Sequence, residues 1–283
     1  MTDTPSSQTL YRGMDKEALD ASYNNSAAVA DSAGIVAGWR VASKQVRARP
    51  DARLDISYGE HPRTTLDYFP CGAAKAPLFA FIHGGYWQRN DKNGFSVFAK
   101  GPLALGIDVA MLGYTLAPEA RLGEIVENIS HALSFLASNV DDFGFDANRL
   151  YAGGWSAGGH LTAMMLGHPH IRGGLAISGI FDLEPIALTY LNERLSLSKT
   201  EIAELSPLRL IGPGLAPVRI VAGGGELSEL RRQSQDYAAA ANNAGMTALL
   251  RMAPGRNHFS MLEELRNPDG GLTQDLMALI NST

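Results

Sequence analysis

One serine in this chain is spaced to do covalent chemistry. Gly154-Trp155-Ser156-Ala157-Gly158 sets one hydroxyl between two glycines. The preceding Arg149–Gly153 reads as a strand, and Gly159–Leu166 reads as a helix. A serine at a sharp strand–turn–helix is pushed out above the edge of a sheet, and the helix N-terminus favours negative charge beside it. Glycines at 154 and 158 keep Cβ atoms out of that crowded turn. Ser156 is therefore expected to be a nucleophile. The competing reading is a Gly-rich anion-binding turn, which would call for the G-x-x-x-x-G-K-[ST] pattern that the chain lacks.

Acyl transfer needs two more parts. Negative charge develops on the former carbonyl oxygen, and preorganised backbone N–H groups must meet it. His83-Gly84-Gly85-Tyr86-Trp87 follows the apolar run Pro77–Ile82. Gly84 and Gly85 are the expected donors there, with the N–H of Ala157 as the third. His83 is read as structural, orienting this loop. Tyr86, Trp87 and Trp155 are expected to line the substrate pocket, although Tyr86 and Trp87 could instead pack beneath the loop. The other part is a base with its acid, in the chain order Ser, acid, His. Of seven histidines, only His258, in Pro254-Gly-Arg-Asn-His258, lies beyond a plausible acid position. The acid expected is Glu226, directly after the run Val218–Gly225, where it would accept the His258 Nδ1–H and stabilise the imidazolium. Glu229 is the next choice, with a place in the first turn of a helix as its alternative role, and Asp182 is a more distant one. His160 reads as a packed helix histidine. His168 and His170 flank Pro169 without carboxylates nearby in sequence, a weak pattern for a metal.

These residues need elements to hold them. Arg53–Tyr58 and Thr64–Phe69 alternate like an antiparallel edge pair. Short continuous apolar runs at Pro77–Ile82, Ile107–Leu112, Leu150–Ala152, Gly174–Ile177 and Pro217–Ala222 suit strands buried on both faces, and Leu249–Met252 reads as a last strand. Helical patterns at Asn93–Leu105, Gly123–Val140, Ala157–Leu166 and Ser228–Ala244 alternate with the runs, which predicts a mostly parallel sheet wrapped by helices. Leu272–Ile280 closes the chain as a helix. Residues 1–50 read as a helical arm (Asp15–Tyr23, then Ala27–Arg47), and 183–210 as a small helical lid. One domain over 1–283 is the simplest organisation.

With 283 residues, 45% hydrophobic and 19% charged, and a net charge of −5, the composition is that of an ordinary globular chain with no basic footprint for nucleic acid. The single cysteine, Cys71, excludes an internal disulfide framework and a Cys-based zinc site. No stretch of about 18 uninterrupted apolar residues is present to span a membrane. Asp3, Asp15 and Glu17 stand where a secretory signal would be apolar, so a cytoplasmic location is expected.

The motifs together resemble the arylformamidase (kynurenine formamidase) branch of the α/β-hydrolases, related to hormone-sensitive-lipase-type esterases. Tyr11-Arg-Gly-Met-Asp15 and Tyr23-Asn-Asn25 look like that branch's N-terminal arm, and His83-Gly-Gly-Tyr-Trp87 like its oxyanion loop. Tyr114-Thr-Leu-Ala-Pro-Glu119 is similar to the relatives' Tyr-Arg-Leu-Ala-Pro-Glu, with Thr115 in place of Arg. Ser178-Gly-Ile-Phe-Asp-Leu-Glu-Pro185, Leu205-Ser-Pro207 and Glu226-x-x-Glu229-x-x-Arg232-Gln-Ser234 also match. Some relatives carry Asp at the acid position. The resemblance implies an α/β-hydrolase fold and cleavage of a small-molecule aryl formamide such as N-formylkynurenine. No metal or organic cofactor would be needed. A short-chain carboxylesterase uses the same residues, and a hydrolase-fold receptor without turnover is a reading from another class. Arg89, Arg194 or Arg256 could pair with a substrate carboxylate or be ordinary surface arginines.

Overall fold

The computed structural model describes residues 9–283; the first eight residues of the expected arm, with Asp3, lie outside it. Eight strands form one sheet: β1 (Arg53–Ser57), β2 (Thr65–Phe69), β3 (Leu78–Ile82), β4 (Asp108–Leu112), β5 (Leu150–Trp155), β6 (Ile171–Ile177), β7 (Val218–Gly223) and β8 (Ala248–Ala253). Their spatial order is β1-β2-β4-β3-β5-β6-β7-β8. The β1–β2 and β2–β4 pairs are antiparallel, and all others are parallel. The expected α/β class and mostly parallel sheet are both present.

The continuous apolar runs have the expected cause. In β3, Leu78, Ala80 and Ile82 join one buried cluster, while Phe79 and Phe81 join another on the opposite face. A strand covered by helices on both sides has no face to leave polar.

Because β3 pairs with β5, Ile82 lies opposite Gly154. The His83 loop and the Ser156 turn thus leave neighbouring strands at the same carboxyl edge, where open α/β sheets present their ligand sites. The turns after β6, β7 and β8 complete that edge.

Two helical readings are corrected. The stretch Ala27–Arg47 is not one helix: Asn25–Ala28 ends, Asp31 takes a left-handed φ of 55°, and its side chain caps a new helix, Ser32–Arg47, by accepting from Gly34 N at 3.2 Å. Asn93–Leu105 is two 3-10 turns leading into the short helix Lys100–Ala104. Residues 183–210 form the helices Glu184–Ala187, Asn192–Leu195 and Lys199–Glu204 and the 3-10 turn Pro207–Arg209, with Leu183, Ile186, Leu191 and Leu195 buried in the core. No helix among the described residues is long and apolar enough to cross a membrane.

Candidate active site

Ser156 sits between β5 and the helix Ala157–Met164 with φ 58° and ψ −116°, a strained conformation for a residue with a Cβ. Its N–H donates to Ile177 O (2.8 Å), which ties the turn to the end of β6. The turn is tight: a Cβ on Gly158 would lie 2.0 Å from Ile82 O. Ser156 is 2% exposed and lines a cleft of about 380 Å³ together with His258, Trp155, Tyr86 and Gly85.

His258 and Glu226 meet in the buried edge beside it. His258 Nδ1 lies 2.9 Å from Glu226 Oε2. The other carboxylate oxygen, Oε1, accepts from Ser178 Oγ (2.6 Å) and from Gly223 N–H (2.5 Å), so the carboxylate is held from both ends. Trp155 donates its Nε1–H to His258 O (2.8 Å), and its ring lies 4.8 Å from the imidazole. Trp155 thus both lines the cleft and fixes the histidine loop. No hydrogen bond joins Ser156 to His258 among the described residues; they share the cleft.

The loop after β3 is anchored through its carbonyls. Tyr114 Oη donates to His83 O (2.8 Å), and Asn90 Nδ2 donates to Gly84 O (3.0 Å). His83 Nδ1 lies 2.9 Å from that same oxygen and must carry the proton there. In a trans peptide the N–H points opposite to the C=O, so these anchors fix the directions of the Gly84 and Gly85 N–H groups. Those two groups and the Ala157 N–H, which opens its helix, are hydrogen-bonded to no protein acceptor among the described residues. Gly84 has to be glycine, because a Cβ would lie 2.6 Å from Trp155 O and 3.0 Å from Ser156 Cβ. His83 itself is stacked between Tyr114 (centroids 4.3 Å apart) and Phe95 (5.7 Å). Burial pushes its pKa down to about 4, so near neutral pH it is an uncharged strut.

Other expected residues lie elsewhere. The structure does not bring Trp87 to the cleft: it is fully buried, with its ring edge-on to His160 at 4.9 Å. Burial likewise holds His160 down to about 4, and its Nε2 meets Leu205 O at 2.7 Å. Glu229 is engaged by Arg232 (2.7 Å) and by Tyr23 Oη (3.3 Å), and Asp182 accepts from Glu184 N (3.1 Å). His168 is 3.1 Å from Ser134 Oγ, and the His168 and His170 rings are 5.5 Å apart. Arg256 pairs with Glu264 (3.0 Å), and Arg194 donates to Ala117 O (3.4 Å). Of these three arginines, only Arg89 lines the cleft.

The opposite wall was not legible in the sequence. It comes from the arm, through Asn25, Ser26, Ser32, Ala33, Val36 and Arg40, and residues 183–210 contribute none of the lining. That helical segment buttresses the site instead. Gln88 Nε2, next to the glycine loop, donates to Leu191 O (2.8 Å), and Tyr190 N donates to Asp20 of the arm (2.9 Å).

The BD-FAE family model matches residues 67–170. Kynurenine formamidase of Danio rerio is 28% identical over 263 residues, covering 88% of each chain. A crystal structure from Silicibacter sp. TM1040, provisionally described as a thioesterase, superposes with a TM-score of 0.84 at 33% identity, covering 93% of this chain and 98% of that one. A thermostable carboxylesterase from a metagenomic library shares the fold at 18% identity (TM-score 0.74, covering 88% of this chain and 95% of its own).

Proposed function

The chain is a hydrolase of the kynurenine-formamidase-like branch of the α/β-hydrolases, and from that premise we propose that Ser156, His258 and Glu226 form its catalytic triad and cleave an aryl formamide. The observation that carries this reading is the cleft itself: a serine at a strained turn shares it with a histidine whose Nδ1 is held 2.9 Å from a buried glutamate. His258 Nε2 takes the Ser156 proton as Oγ attacks the carbonyl carbon. The short contact this needs closes when substrate is bound. The Gly84, Gly85 and Ala157 N–H groups stabilise the oxyanion. Collapse of the tetrahedral intermediate breaks the C–N bond, His258 gives its proton to the leaving amine, and water then attacks the acyl-serine by the reverse steps. Glu226 keeps the imidazole in the Nδ1–H tautomer throughout and offsets its charge when protonated.

A second reading, an ester or thioester hydrolase, is favoured by the 33% identity to the Silicibacter chain. It uses the same residues. Steady-state turnover of N-formyl-L-kynurenine and of 4-nitrophenyl acetate separates the two. The formamidase reading expects the formamide to be turned over at least as efficiently as the ester. An untouched formamide beside a rapidly hydrolysed ester contradicts it. Under either reading, Ser156→Ala is expected to lower kcat by about 10⁵-fold.

A further inference from the structure

Asn25 is contributed by the arm, lines the Ser156 cleft and is 4% exposed. Its side-chain orientation is fixed by its neighbour. Tyr86 Oη donates to Tyr23 O at 2.6 Å and therefore has its lone pairs left for Asn25. The group of Asn25 lying 3.0 Å away must then be the Nδ2 donor. That leaves Oδ1 on the other side of the amide, buried and with no hydrogen-bond partner among the described residues. The holder is itself over-determined. Tyr23 is fully buried, its hydroxyl accepts from Gln233 Nε2 (2.9 Å) and it donates toward Glu229 (3.3 Å). The acceptor is preorganised, and a buried acceptor without a donor is costly.

We propose that Asn25 Oδ1 accepts the N–H of the scissile amide and makes this cleft selective for amides over esters of the same acyl group. This rests on the reading of Ser156 as the nucleophile in the same cleft. An amide brings a hydrogen that the unpaired oxygen of this cleft-lining residue can accept. An ester brings an oxygen, which cannot donate and leaves Oδ1 unsatisfied. Sites built to meet a substrate N–H discriminate against the analogue lacking it for this reason. Asn25 touches substrate without taking part in bond making.

The test compares formanilide with phenyl formate, which share acyl and aryl groups, each corrected for spontaneous hydrolysis. Asn25→Ala is expected to lower the amide-to-ester ratio of kcat/KM about tenfold. Tyr86→Phe keeps the ring but releases the Asn25 amide, and it is expected to move the ratio the same way by about threefold. It also serves as the readout if Asn25→Ala fails to fold. A ratio unchanged in the folded variants overturns the proposal, as does a wild-type enzyme that leaves formanilide untouched. Ser156→Ala separates this failure from failure of the underlying reading: if it retains both hydrolyses, the serine is not the nucleophile, whatever the ratio does in the Asn25 variant.

Discussion

The two walls of the Ser156 cleft are built in different ways. On the sheet side, every candidate catalytic group leaves the carboxyl end of a strand, and the loops at that edge hold one another: the strained φ of Ser156, the His83 and Gly84 carbonyls anchored by Tyr114 and Asn90, the Gly223 N–H on Glu226. On the arm side, position is set by side chains reaching across the sequence, Tyr23 to Gln233 and Glu229, Asn25 to Tyr86. The difference teaches a division of labour. Under the function proposed above, the sheet edge would attack the carbonyl and the arm would select which carbonyl compound fits.

Breaking the sheet side costs rate. Glu226→Gln is expected to lower kcat by about 10³- to 10⁴-fold. Gly223 N–H and Ser178 both donate to Oε1, so the new amide nitrogen must face His258 and impose the wrong tautomer. Pre-steady-state acylation would read this directly, and a loss under tenfold would mean that the glutamate does not set the tautomer. Tyr114→Phe frees the His83 carbonyl and loosens the Gly84 N–H. About a tenfold loss of kcat is expected with KM held, since removing a whole oxyanion donor costs about 10²–10³. A rise in KM without a fall in kcat would deny the loop its role in the transition state. Breaking the arm side costs selection. Tyr23→Phe removes one end of the clamp and should raise KM about threefold, while unfolding free energy falls by about 1 kcal/mol. Denaturant melts with parallel kinetics check both. A fall in kcat larger than the rise in KM would erase the division between the walls.

The sequence showed the sheet side well for a physical reason. Strands buried on both faces must be continuously apolar, and a nucleophile turn, its glycine loop and its histidine follow a fixed order along such a sheet. Ser178 was visible only as part of a motif, and its hydrogen bond to Glu226 explains why a serine stands there. The arm side was opaque. Nothing in the spacing of Asn25 or Arg40 says that the chain folds back over residue 156, and the cap at Asp31 was hidden inside an Ala/Val-rich helical pattern. Trp87 misled because an aromatic residue next to a glycine loop reads equally as pocket or core. Its full burial against His160 is core packing.

The central claim is that Ser156 is the acyl acceptor, and mass spectrometry of the intact protein after exposure to a fluorophosphonate tests it most directly. The account predicts a single adduct on wild-type protein, mapped to the peptide containing Ser156 and absent from Ser156→Ala. An unlabelled wild type, or an adduct that persists in Ser156→Ala, would contradict it.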